Sequence, residues 1–224
     1  MREPINVSGM VLSASPVGEY DKRVVILTRE LGKITAFARG ARRMKSPLMA
    51  VSNPFVFGEF QVYEGRDSYT LSGANIKEYF LDLAQTQPGV YYGFYFLELA
   101  EYFSQEGNDE TQMLNLLYVT MNAIRRGKQD LRLIRCIFEL RTITISGEAP
   151  QMFSCMECST KENLTIFSPR DSAIYCQNCG KTIKDPWPLQ PGTVLACRYI
   201  IAAPLEKLYG FTVNEEILDE LERL

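Results

Sequence analysis

Four cysteines in two closely spaced pairs have the spacing most specific for chemistry in this chain. Cys155 and Cys158 form one Cys-x-x-Cys pair, Cys176 and Cys179 form a second, and seventeen residues separate the pairs. Each short turn can aim two thiolates at one ion, and two such turns complete the tetrahedron that zinc accepts. The spacing therefore predicts one zinc ion per chain, bound by these four cysteines.

A site closed by four thiolates has no open position for water or substrate, so we expect the zinc to be structural. Gly180 directly follows the second pair and is expected in a turn that needs a positive φ. The alternative is four reduced or redox-active cysteines without metal, although a redox pair needs only one Cys-x-x-Cys. The other two cysteines, Cys136 and Cys197, lie in apolar helical segments and are expected in the core.

A second candidate site is the basic run at 39–46, which contains four cations and no acidic residue. Such a run can line a surface that follows nucleic-acid phosphates, although an ordinary solvated loop has the same composition. Residues 1–50 carry a net charge of +5 and the remainder carries −8, which favours a protein with one basic face. With cations on adjacent predicted strands or turns, the candidate DNA-binding residues are Lys22, Arg23, Lys33, Arg39, Arg42, Arg43 and Lys45.

The composition restricts the class of protein. The 224 residues are 46% hydrophobic and 23% charged, as in ordinary globular proteins, and contain no histidine. Catalytic triads with histidine, metalloprotease motifs with histidine ligands and histidine general bases are therefore excluded. We find no leader-like segment and no apolar run near the roughly 20 residues of a membrane span, so we expect a cytoplasmic protein.

The basic run lies among elements that read as β-structure. Strands are predicted at 5–13, 24–28, 34–39, 55–63 and 68–76, which suits a small barrel such as an OB-fold, although other small antiparallel barrels give a similar pattern. Phe37, Tyr63 and Tyr69 lie on these strands and are possible platforms for base stacking, although such aromatic residues more often belong to a core.

From about residue 81 the hydrophobic period becomes helical. Helices are predicted at 91–103, 109–126, 131–146 and 193–203, and the aromatic side chains of the first are expected to pack in a core. A capping box from Thr212 to Glu215 precedes a last helix. The chain thus divides into a barrel at 1–80 and a helical domain at 81–224, with the cysteine-rich insert at about 152–185.

The order of these motifs resembles the bacterial RecO family of DNA-repair recombination mediators over essentially the whole chain. The resemblance is carried by the basic run, by Phe138-Glu139-Leu140-Arg141, by Gly147-Glu148-Ala149-Pro150-Gln151 and by the paired Cys-x-x-Cys motifs. It implies an α+β multidomain chain, with a five-stranded OB-fold barrel followed by an all-α domain that carries a four-cysteine zinc module.

The resemblance also implies a nucleoid-associated protein that binds single- and double-stranded DNA and anneals complementary strands. With RecR, such a protein helps RecA to replace single-strand-binding protein, and no catalysis is required. The resemblance further implies that the helical domain binds the acidic C-terminal tail of single-strand-binding protein. For that site we favour Arg132 and Arg135, three apart and hence on one helical face, although an ion pair with Glu139 would also explain Arg135.

Two other classes of function stay open from the residues alone. One is a zinc-containing protein-interaction adaptor without direct DNA binding, which would show no salt-dependent affinity for DNA. The other is an enzyme that works through carboxylates, although no motif singles out a pair of acidic residues.

Overall fold

The computed structural model describes residues 3–83 and 87–224, and its first five strands form a closed barrel. The strand order is β1-β2-β3-β5-β4, and every neighbouring pair is antiparallel except β3 with β5. This closure is the OB-like barrel that the sequence predicts. The strands are β1 (Ile5–Val17), β2 (Asp21–Thr28), β3 (Gly32–Ala38), β4 (Phe57–Glu64) and β5 (Tyr69–Glu78).

β1 is long because different parts of it pair with two neighbouring strands. Its first half pairs with β4 and its second half pairs with β2, and a bulge between Val11 and Ser13 bends it. Gly9 of β1 lies opposite Gly58 of β4. A Cβ on Gly9 would lie 2.4 Å from the carbonyl oxygen of Leu27, so the strands can approach this closely only at glycine.

The short helix α1 (Leu48–Val51) packs against the barrel beside β5. Leu48 and Val51 join the apolar core of the barrel together with Ala41, which belongs to the basic run. The basic run is therefore anchored in the core on one side and followed by a core helix on the other.

Two further helices pack on the barrel and belong to the same compact unit, Met1–Arg126. This unit therefore continues past residue 80, where the strands give way to helices. They are α2 (Gly89–Phe103) and α3 (Thr111–Arg126). A Cβ on Gly93 of α2 would lie 2.9 Å from the Phe55 ring, so the glycine makes room for that ring. The expectation that the aromatic residues of α2 are core residues is wrong for Tyr91 and Tyr102, which are 63% and 81% exposed, and for the less exposed Phe94 and Tyr95. Only one face of α2 meets the barrel.

The second compact unit, Gly127–Leu224, combines three helices with a small sheet. The helices are α4 (Leu131–Ile145), α5 (Pro191–Ala202) and α6 (Glu215–Arg223). The sheet has the order β7-β6-β8, with β6 (Leu164–Ser168), β7 (Ala173–Cys176) and β8 (Trp187–Pro188). Throughout 3–83 and 87–224, we find no helix with the length and apolar character needed to cross a membrane.

The start of α6 corrects one prediction. The capping box places the N-cap at Thr212, whereas Asn214 caps the helix and its Oδ1 accepts a hydrogen bond from the Ile217 N–H at 2.9 Å. Asparagine is at least as good an N-cap as threonine, and Asn214 immediately precedes the first helical residue.

Candidate nucleic-acid interface and metal centre

The basic run forms a fixed turn against the loop between β1 and β2. The Gly40 N–H donates to Asp21 Oδ1 at 2.7 Å, and the Arg42 N–H donates to the Tyr20 carbonyl at 2.8 Å. The Arg42 guanidinium donates to the Gly18 carbonyl at 3.2 Å. We call residues 39–46 the basic turn, because these bonds define its position at one end of the barrel.

The basic turn gathers the predicted cations at that end. Arg39, Arg42, Arg43 and Lys45 are all exposed, and the Arg43 guanidinium carbon lies 4.9 Å from the centroid of the Tyr20 ring. Lys22 is close by, because it pairs with Ala38, the residue before Arg39. Burial and the positive charge of Arg42 both lower the pKa of Lys22. The resulting positive surface is suited to phosphate groups.

A row of aligned residues crosses the outer face of the barrel. Residues that pair across neighbouring strands lie on the same face, and the row carries Arg23 from β2, Phe37 from β3 and Tyr63 from β4. Tyr69 is not part of it, because its ring packs against the barrel core. We call this set the outer row, and its members in strand order are Ser15, Arg23, Phe37, Thr70 and Tyr63.

Lys33 lies apart from the other predicted DNA-binding residues. It is at the opposite end of β3 from Arg39, about 20 Å away at the usual rise per strand residue. Its ammonium group donates to the carbonyl oxygen of Glu101 in α2 at 2.5 Å. In this structure Lys33 therefore connects the barrel to a helix.

The two Cys-x-x-Cys pairs meet at one point of the small sheet in the second unit. Cys155 and Cys158 precede β6, Cys176 ends β7, and Cys179 begins a 3-10 turn. All four sulfur atoms lie within 4.8 Å of one another, and Sγ of Cys158 is 3.8 Å from Sγ of Cys176. This cluster could hold a metal ion.

Backbone N–H groups favour the thiolate form at two of these positions. Burial opposes ionisation of Cys155, but the N–H groups of Cys158, Cys176 and Glu157 outweigh it and lower its pKa to about 6. The Cys179 N–H lies 3.5 Å from Sγ of Cys176 and lowers the pKa of that thiol. Hydrogen bonds with the sulfurs of Cys176 and Cys158 instead raise the pKa of Cys179 to about 12.

Gly180 is needed for a different reason from the one predicted. Its φ is not positive, so the expected left-handed turn is wrong. A Cβ at this position would lie 2.6 Å from Cγ1 of Ile166 in β6. The glycine therefore allows the second cysteine turn to pack directly on the sheet.

Arg132 and Arg135 of α4 already bind carboxylates of the same unit. Arg135 contacts Glu222 at 2.8 Å and Glu139 at 3.7 Å. Arg132 pairs with three carboxylates of α6, those of Glu215, Asp219 and Glu222. The spacing of these acids, 215, 219 and 222, places them on one helical face, and this sequence signal could have identified α6 as their partner.

Comparison with known proteins defines the family. A family model described as "Recombination protein O N terminal" matches residues 1–80, and one described as "Recombination protein O C terminal" matches residues 88–224. The chain belongs to the RecO family. The DNA repair protein RecO of Alkaliphilus metalliredigens is 32% identical over 221 residues, covering 98% of this chain and 90% of that protein. The RecO of Bacillus pumilus is 30% identical over 222 residues, covering 98% and 86%.

These matches identify a RecO family DNA repair protein. They cover both the barrel with its basic turn and the unit with the four-cysteine cluster, so the family resemblance predicted from the motifs is confirmed.

Proposed function

We propose that this chain is a recombination mediator that binds single- and double-stranded DNA and anneals complementary strands. With RecR, it would help to load RecA onto DNA coated by single-strand-binding protein at the nucleoid, in the cytoplasm. The observation that carries the proposal is the fixed basic turn at the end of an OB-like barrel, beside the outer row. Annealing and loading exchange one set of non-covalent contacts for another, so no catalytic group is needed.

The barrel at 1–80 is the proposed DNA-binding domain. The basic turn contacts phosphates, which both forms of DNA present, while Phe37 and Tyr63 stack on bases. These two residues are two strands apart, about 10 Å, a spacing that suits the unpaired bases of one strand. Bases inside a duplex are already stacked, so the outer row favours single strands.

The proposed metal is zinc in a structural role. Four thiolates are the donor set of a structural zinc site, and a tetrahedron with Zn–S distances of about 2.3 Å has edges of about 3.8 Å. The separation of Cys158 and Cys176 supports this size. Zinc would connect the two cysteine turns of a module whose sheet has only three short strands.

Arg132 and Arg135 are the proposed site for the acidic tail of single-strand-binding protein. Their contacts with α6 support a surface that accepts an acidic segment, and a bound tail would replace carboxylates of α6. A tail peptide should bind Arg132→Ala/Arg135→Ala more weakly than wild type and bind Glu215→Gln/Asp219→Asn more tightly. Arg170→Ala, an exposed cation of the cysteine module, is the matched control. Equal affinity in all four proteins would show that Arg132 and Arg135 do not bind the tail.

The DNA-binding function is tested by fluorescence anisotropy with single-stranded DNA at two salt concentrations. The proposal expects affinity that falls steeply with salt, because each neutralised phosphate releases counterions. The adaptor without direct DNA binding predicts no such affinity, and that result would overturn the proposal.

A further inference from the structure

Met44 occupies the tip of the basic turn. It is 89% exposed, the highest value of any large hydrophobic side chain in the described residues. Arg43 and Lys45 flank it and are exposed as well. The fold does not bury this apolar side chain, so it is available to a partner that binds the basic turn.

The tip is held in place on both sides of Met44. The Arg43 N–H donates to the Gly40 carbonyl at 3.0 Å, and the Ser46 N–H donates to the Arg43 carbonyl at 3.1 Å. Beyond these bonds, Ala41 and Leu48 are buried in the barrel core. A ligand that contacts Met44 therefore meets a preformed tip and bears little ordering cost.

Apolar side chains are also exposed in the loop that supports the tip. Tyr20 and Val17 belong to the loop and strand end that hold the basic turn, and both are exposed. The end of the barrel thus combines a ring of cations with apolar side chains. Phosphates would bind the cations, and the apolar surface that DNA offers beside its phosphates is the stacked bases.

We propose that Met44 inserts between neighbouring base pairs of bound duplex DNA and opens one base step. Methionine is among the side chains that act as such wedges, and phosphate contacts offset the free-energy cost of unstacking. The inference rests on the proposed DNA binding. An opened step would give an incoming complementary strand a place to begin pairing.

The test uses a duplex with 2-aminopurine, whose fluorescence rises when it unstacks, and an end-labelled duplex whose energy transfer reports a kink. Wild type should raise the fluorescence and produce a kink of about 20 to 90°. Met44→Ala should lose both signals, and Met44→Leu should restore them. Met44→Lys adds a cation without a wedge, so it should bind duplex at least as tightly and still give no fluorescence rise.

Met49→Ala is the matched control, because Met49 is a 41% exposed methionine five residues away on α1. It should behave as wild type. Single-strand anisotropy is measured for every variant and separates this inference from the function on which it rests. If single-strand binding is unchanged and Met44→Ala still unstacks the duplex, the wedge alone is overturned. The same holds if wild type binds single strands but does not unstack the duplex. Loss of all DNA binding by wild type overturns the proposed function and the wedge with it.

Discussion

The guanidinium of Arg223 lies over the indole of Trp187, with its carbon 4.1 Å from the ring centroid. Trp187 is the only tryptophan of the chain and belongs to β8, where it also lies 6.3 Å from the ring of Phe167 in β6. Arg223 is in the last turn of α6. The Trp187 indole therefore contacts both α6 and the cysteine module, and its fluorescence emission reports changes in either.

Removal of the metal should be visible at Trp187. In Cys176→Ser the tetrahedron is incomplete, so we expect loss of stoichiometric zinc and of most of the metal-linked folding energy, which is about 10 to 16 kcal/mol for a structural zinc site. The loosened module should shift the Trp187 emission towards that of an exposed indole. Elemental analysis and fluorescence of the same sample measure the two effects.

The control for this variant is Cys136→Ala. Cys136 is buried in α4 and is not one of the four clustered cysteines, so it is not expected to bind the metal. This protein should keep its zinc. A full complement of zinc in Cys176→Ser would rule out the four-cysteine assignment.

Acid should weaken the contact of α6 with α4. A hydrogen bond from Arg132 lowers the pKa of Glu222 below its ordinary value of 4.5. A carboxylate with a lowered pKa stabilises the folded state fully above that ordinary value, and the stabilisation is lost as the pH falls through the lowered one. We therefore expect the Arg223 contact with Trp187 to be stable at neutral pH and to weaken as the pH falls below the ordinary value of 4.5.

Because acid also protonates the cysteine thiolates, the informative quantity is a difference between two proteins. Glu222→Gln keeps a hydrogen-bond acceptor but has no charge to lose, so its emission should show a smaller change with acid than that of wild type. Superimposable curves would mean that the ion pairs of α6 do not hold it in place.

The sequence predicts those parts of the structure that depend on near neighbours. The alternation of residues along the strands and the gap within each Cys-x-x-Cys pair are local patterns, and they predict the strands of the barrel and the sulfur cluster. The pairing of Arg132 with Asp219 joins positions 87 residues apart. The acids of α6 share one helical face, which marks α6 as a candidate partner, but only the packing of α6 on α4 selects Arg132.

The predictions that failed illustrate the same limit. Glycine commonly provides a positive φ, which is the role that the sequence predicts for Gly180, whereas the close approach of Ile166 from β6 explains this glycine. Tyr91 and Tyr102 have the composition of core residues, but the barrel covers only one face of their helix. In both cases a tertiary contact decides the environment.

Replacement of the outer-row aromatics should affect single strands more than duplexes. Phe37→Ala and Tyr63→Ala should each weaken single-strand binding by about 1 to 3 kcal/mol, the usual value of one stacked base. Tyr79→Ala is the control, because Tyr79 has the same 37% exposure as Tyr63 but lies outside the row. Equal losses for single- and double-stranded DNA would show that the rings support the barrel rather than stack on bases.

The charges of the basic turn should determine the salt dependence. Arg42→Gln/Arg43→Gln removes two phosphate contacts, so the slope of log affinity against log salt should fall by about 1.4 for single strands. Because phosphates are present in every sequence, the loss should be equal for unrelated oligonucleotides. Lys77→Gln is the control, since Lys77 is an exposed barrel cation that pairs with Glu59 at 2.8 Å, and it should leave the slope unchanged.

Arg42 also donates to the Gly18 carbonyl, so its replacement could act by loosening the turn. Arg39→Gln/Lys45→Gln changes the same charge at two exposed positions that flank the pinned residues. If phosphate contact is the cause, both double variants should lower the slope by the same amount. A lowered slope in the Arg42 and Arg43 variant alone would assign the effect to the shape of the turn, and an unchanged slope in both would leave the basic turn as a solvated loop.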